Sequence, residues 1–194
     1  MFITSTARAD TWTVDDDGKA DVDNIQAAVD ASSDGDEIIV MPGTYTGTGD
    51  EVVDMLGKEI WLHSSKGEQV TIIDGEDARR GITCTNNETP ETIIEGFTII
   101  RGFTDGGYPD NCGGGMYNWL SSPTLTGCIF KNNFAPYGGG MFNDHSSSPT
   151  LTNCTFSANT AAPAGGGMYN YEGASPTMIE CTFSSNHAVF GSGM

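Results

Sequence analysis

The chain has 194 residues, a formal charge of −18 and no cluster of lysine and arginine, which excludes nucleic acid and anionic membrane surfaces as partners because nothing in it neutralises phosphates. Twenty-six glycines against 18% charged residues is the composition of neither an ordinary helical domain nor a disordered chain, and no apolar run reaches the length of a membrane-inserting span. The charge is uneven, since residues 1–112 hold 23 acids and 7 bases whereas residues 113–194 hold only 3 acids and 1 base.

In chain order, Ala7-Arg8-Ala9 has the small-x-small spacing of a signal cleavage site, so residues 1–10 read as a leader remnant or disordered start. The run "DDDGKADVD" (Asp15 to Asp23) has the acid spacing of a calcium loop. Its twelfth position is Gln26 rather than the bidentate Glu such loops need, so it reads as a turn entering a helix. Asp23 stands at the expected N-cap, Gln26 at the capping-box position, and Ile25, Ala28 and Val29 share a face ending before Gly35. A solitary amphipathic helix ahead of strands is expected to cover the open end of a strand stack. The strands follow in "EIIVMPGTY", "EIWLHS", "VTIIDG", "GITCT" and "TIIEGFTII", which complete an amino-terminal cap and irregular first coils over residues 11–112.

From residue 113 the chain repeats itself. "GGGMYNWLSSPTLTGCIFKNN", "GGGMFNDHSSSPTLTNCTFSAN" and "GGGMYNYEGASPTMIECTFSSN" succeed one another, and the final Met194 falls where a fourth copy of "GGGM" would stand, as if the chain were cut in mid-repeat. Methionines 116, 141, 168 and 194 are spaced 25, 27 and 26 residues apart; cysteines 128, 154 and 181 are spaced 26 and 27 apart. Each unit offers short Thr-rich and aromatic strands bounded by Gly, Pro, Ser and Asn, with no 3.6-residue stripe. A unit of about 26 residues cannot bury its own apolar side, whereas parallel stacking places each residue about 4.8 Å above its equivalent and buries it. The expected fold is therefore all-β, a parallel β-helix with a short amino-terminal capping α-helix. Columns of Cys128, Cys154 and Cys181 and of Phe130, Phe156 and Phe183 should point inward, with Leu125, Leu151, Met178 and the repeat methionines. Asn133, Asn159 and Asn186 should stack their amides as a ladder, and Asn118, Asn143 and Asn170 as a second one.

At these residues the sequence resembles a known family. "TWTVDDDGKADVDNIQAAVDASSDGDEIIVMPGTYTG" resembles the opening of pectin-lyase-like right-handed β-helix proteins, and the "GGGMYN…SPTLTNCTFSxN" units are similar to the repeats of polymorphic outer-membrane-type secreted surface proteins. The resemblance implies a right-handed coil, an extracellular or cell-surface setting and a carbohydrate connection. The fold hosts lyases, hydrolases, esterases and adhesins alike, so it names no activity. The polygalacturonase, pectate-lyase and pectin-esterase signatures are not matched; the repeats contain one base, Lys131, and the only adjacent bases are Arg79-Arg80. No catalytic residue and no metal site is therefore assigned.

Several clusters invite chemistry. Asp105, Asp110 and Asp144, with Arg101 nearby, are the acids that would bind Ca²⁺ or act as an acid–base pair, against the simpler reading of solvated loop acids. His63, His145 and His187 are not spaced as ligands and read as separate surface histidines. The stacked cysteines lie within disulfide reach, but their inward phase favours buried thiols. Thr124, Thr126, Thr150 and Thr152 form paired outward threonines of the kind ice-binding solenoids use, broken by Ile179 in the third repeat. Tyr108, Trp119, Tyr137 and Tyr171 are the aromatic residues placed to stack on sugar rings.

Two functional expectations follow. The first is a non-catalytic structural or adhesive module of a secreted or cell-surface protein, self-associating through open β-helix ends into fibres. The second is a polysaccharide lyase or glycoside hydrolase, or a carbohydrate-binding module, with polysaccharide as partner and no obligatory cofactor.

Overall fold

The structure is a computed structural model that describes residues 9–194; the cleavage-like Ala7-Arg8-Ala9 motif falls largely outside them. Every named strand pairing is parallel. The chain winds through three faces in turn. Face A has seven strands, Thr11–Val14, Glu37–Val40, Trp61–Ser64, Ile93–Glu95, Thr124–Thr126, Thr150–Thr152 and Thr177–Ile179. Face B has six, Gly43–Tyr45, Thr71–Asp74, Thr98–Ile100, Ile129–Lys131, Thr155–Ser157 and Thr182–Ser184. Face C has five, Glu51–Asp54, Arg80–Cys84, Met116–Trp119, Met141–Asp144 and Met168–Asn170. A two-stranded sheet, Phe134–Tyr137 with Thr160–Ala164, fills the corner between faces B and C. The pairings run unbroken from the irregular coils into the regular ones, Ile94 under Leu125 and Ile99 under Phe130.

The repeat register is the spatial register. Met116 pairs with Met141 and Met141 with Met168, and Phe130 pairs with Phe156 and Phe156 with Phe183. The phenylalanine rings stack at 4.8 Å, within 6° of parallel, which is the inter-strand spacing imposed on side chains by the ladder. Cys128 and Cys154 are fully buried among them, and all five cysteines are free thiols.

The turns depend on polar ladders. Asn133 Nδ2 donates to Asn159 Oδ1 (3.0 Å) and Asn159 Nδ2 to Asn186 Oδ1 (3.1 Å), while the main-chain N–H of each lower Asn donates to the same oxygen above it. The second ladder runs from Asn118 to Asn143 to Asn170 at 2.8 Å per step. It stops at Asn118, whose Oδ1 has no hydrogen-bond partner, because the coil beneath places Cys84 rather than an amide at that position. The third glycine of each triplet is required by close approach: a Cβ on Gly140 would lie 2.3 Å from the carbonyl oxygen of Gly167.

The helix occupies Ile25–Ala31 and lays Ile25, Ala28 and Val29 over the amino-terminal end of the core. Its termini differ from expectation. Asn24, not Asp23, is the N-cap, its Oδ1 accepting from Ala27 N at 2.8 Å. Gln26 does not close a capping box; its amide instead brackets Asp54, accepting from Asp54 N and donating to Asp54 O. The helix stops at Ser32, before Gly35, because Ser32 bonds back to Ala28 and Val29 and Lys58 Nζ takes up the carbonyls of Val29, Asp30 and Ser32.

Candidate functional site

Alternation along each face C strand sends Met116, Met141 and Met168 inward and the next residue outward. Tyr117, Phe142 and Tyr169 thus form an outward column, and Trp119, Asp144 and Tyr171 follow two residues on. The segment from Phe103 to Cys112 folds against this column. Phe103 stacks on Phe134 at 5.3 Å, and Cys112 forms a bridge to Tyr137. This brings Tyr108 over Asp144, with its hydroxyl donating to Oδ2 at 2.5 Å.

The result is a cleft of about 530 Å³ lined by Tyr108, Tyr137, Phe142, Tyr169, Tyr171 and Glu172 among others, with His145 in its wall. An adjoining depression on the other side of Tyr108 and His145 contains Tyr117 and Trp119. All four aromatic residues expected to meet a sugar therefore converge on one surface. Three further rings, Tyr117, Phe142 and Tyr169, belong to it; their place immediately after each core methionine was the available signal, and alternation would have turned them outward. The rings are contiguous: Phe142 lies 5.4 Å from Tyr169, Tyr137 lies 5.8 Å from Tyr169, and Tyr169 stacks on Tyr171 at 6.3 Å.

Asp144 is fully buried, with Oδ2 also accepting from Tyr117 at 3.3 Å. Its Oδ1 takes the main-chain N–H and ring Nδ1 of His145, both at 2.8 Å. The other ring nitrogen of His145 lies 2.9 Å from Glu172 Oε2. Both ring nitrogens of His145 therefore face carboxylates, one on its own coil and one on the next. The expectation of a lone surface histidine is thereby corrected: His145 ties the second repeat to the third, because equivalent turns of successive coils stack. Among the described residues, Asp144, His145 and Glu172 are the group whose ligand atoms approach closely enough to share an ion. Burial, followed by the Asp144 carboxylate, pushes the Tyr108 hydroxyl up to about 12 and that of Tyr117 higher still, so both stay protonated donors.

Arg80 lies beneath this surface, 7% exposed. Its guanidinium donates to the carbonyls of Cys112 (3.0 and 3.2 Å) and Gly113 (3.1 Å), and the Tyr117 ring lies 5.1 Å from it. Burial pulls its pKa below the usual guanidinium value, against the opposing Glu51 carboxylate.

The other expected clusters do not assemble. Arg101 pairs with Asp74 rather than with a repeat acid, while Asp105 and Asp110 remain exposed and Asp144 is covered by tyrosines. In the acidic run, Asp21 bonds Thr13, Asp16 accepts from Thr44 N, and Asp17 pairs with Lys19, so these carboxylates brace turns. His63 bonds Glu37 at 3.0 Å and stacks on Trp61 at 4.1 Å. The threonines do pair on face A, Thr124 with Thr150 and Thr126 with Thr152, but Thr126 continues down onto Glu95 and Thr152 up onto Ile179.

Residues 57–193 match the family model described as a right handed beta helix region. No curated protein matches the chain.

Proposed function

The chain belongs to the right-handed β-helix family, and on that premise we propose that it is a non-catalytic adhesive module of a secreted or cell-surface protein that binds a saccharide chain across face C. The observation that carries this is the aromatic cleft. Five of the chain's six tyrosines border it or the adjoining depression, on regular coils whose outward positions on the other two faces are mostly Thr and Ser. Contiguous rings following a solenoid axis suit a linear ligand, giving apolar area with a few fixed polar groups. Isothermal titration against a panel of soluble polysaccharides tests it. Binding that falls at least tenfold, or about 1.4 kcal/mol, in both Tyr137→Ala and Tyr171→Ala supports adhesion; no binding across the panel refutes it.

A lyase or hydrolase is the second reading, favoured by the Asp144–His145–Glu172 array at the cleft mouth. Its two carboxylates are the residue types acid–base chemistry on a sugar uses. New unsaturated or reducing ends in the same incubations, abolished in His145→Gln, would establish turnover and displace the adhesive reading.

The proposal includes self-association through β-helix ends, because a sheet edge with unpaired main-chain groups templates a further strand. Sedimentation equilibrium tests it: assemblies larger than a monomer are expected, and a monomer at every concentration would refute it.

A further inference from the structure

We propose that the face C cleft recognises an organic ammonium group, as carried by a free amino sugar or a choline head. This deepens the saccharide reading of the same cleft and rests on it for the amino-sugar case.

The charge distribution singles the cleft out. Residues 113–194 contain three acids, Asp144, Glu172 and Glu180. Two of the three converge here, on successive coils, and are bridged by the same histidine. Two carboxylates on successive coils make the cleft the acidic point of a stretch otherwise almost free of charge. Glu172 is about half exposed at the mouth, so its carboxylate is available to a ligand, whereas Asp144 lies beneath the tyrosines.

The walls match the same chemistry. Tyr108, Tyr137, Phe142, Tyr169 and Tyr171 line the cleft; an aromatic quadrupole attracts a cation within about 6 Å, and ammonium recognition by aromatic cages is the recurring use of that attraction. The cleft is correspondingly ill-suited to uronates or phosphates. Its nearest guanidinium, Arg80, is sealed under Tyr117 with Nε and Nη2 held by main-chain carbonyls. The one base of the regular coils, Lys131, lies on face B.

The test uses the full chain and four probes in isothermal titration at low and at 0.5 M salt: choline, a fully deacetylated glucosamine trimer, its N-acetylated counterpart and a galacturonate trimer. The two ammonium probes are expected to bind at least tenfold more tightly than the acetylated trimer, and salt should weaken them. Glu172→Gln should cost the ammonium probes at least fivefold and cost them more than the acetylated trimer, with circular dichroism confirming the fold. Binding of choline alone keeps the ammonium site and removes the sugar. Equal or tighter binding of the acetylated trimer overturns the ammonium inference and leaves the adhesive reading standing. Preference for galacturonate overturns the inference, and silence from all four probes does too; the adhesive reading is decided separately, by the polysaccharide panel and its turnover assay.

Discussion

Replacing Asn159 by Ala removes the middle amide of the corner ladder, and the structure allows its cost to be worked out. Asn159 is fully buried. Its Oδ1 accepts from Asn133 N and Asn133 Nδ2, both at 3.0 Å, and its Nδ2 donates to Phe130 O at 2.9 Å and Asn186 Oδ1 at 3.1 Å. Truncation leaves the main-chain N–H of Asn133 without an acceptor inside the stack, at about 1–3 kcal/mol, and weakens three further partners by about 0.5–1 kcal/mol each. The expected loss is about 2.5–6 kcal/mol, a large share of a single domain's stability. Asn186→Ala removes the same kind of bonds, but Asn186 is partly exposed. Water can replace its amide there, so about 1–2 kcal/mol is expected. Asn159→Asp keeps the acceptor and loses the donor, facing a carboxylate oxygen toward Phe130 O, and should cost at least as much as Ala. The assay is urea unfolding followed by far-ultraviolet circular dichroism and by tryptophan fluorescence, since coils of a solenoid can melt separately. An Asn159→Ala protein within about 1 kcal/mol of the parent, or no worse than Asn186→Ala, would refute the reasoning.

Gly140→Ala should be more damaging than Gly127→Ala. The first sets a Cβ 2.3 Å from Gly167 O, while the second meets nothing within 4 Å and strains only a φ of +58°, worth about 1–2 kcal/mol; equal melting temperatures would contradict this. Native protein at pH 8 should react with a thiol reagent at Cys181 first. Burial pushes Cys84 up and Cys112 to about 12, and the contact with the Cys128 thiol, followed by burial, pushes Cys154 up, so these three should label only on unfolding, and early labelling of Cys112 would count against the packing. Stability should fall as pH rises above the ordinary carboxylate range. Burial raises Glu51 and Asp54, so the folded state holds these protons more tightly and their stabilisation is lost as pH rises through the raised values. At the acid end the sign reverses. Burial raises Asp36, but donors from Asp10, Ser33 and Trp12 outweigh it, and hydrogen bonds from Thr13 lower Asp21, so their stabilisation disappears as pH falls through the lowered values. A higher urea midpoint at pH 8 than at pH 5 would refute the first part.

The stack was legible from the spacing of Met116, Cys128, Phe130 and Asn133 alone. A repeat that cannot bury its own apolar side has one economical solution, and parallel stacking converts sequence period directly into contact. The inward cysteines, the two asparagine ladders and the glycine triplets follow from that single conversion, because each involves equivalent positions of neighbouring coils. Residues outside the period were not fixed in this way. The N-cap shifted from Asp23 to Asn24 because Gln26 was recruited by the backbone of Asp54, a partner 28 residues away. The cleft needed the non-repeating segment around Tyr108 to fold over face C, and His145 acquired its second carboxylate only because the turn carrying Glu172 sits one coil above. Periodicity specifies what lies over what; the excursions of the turns, and the charges they carry across the face, are settled by tertiary contacts between positions with no common phase.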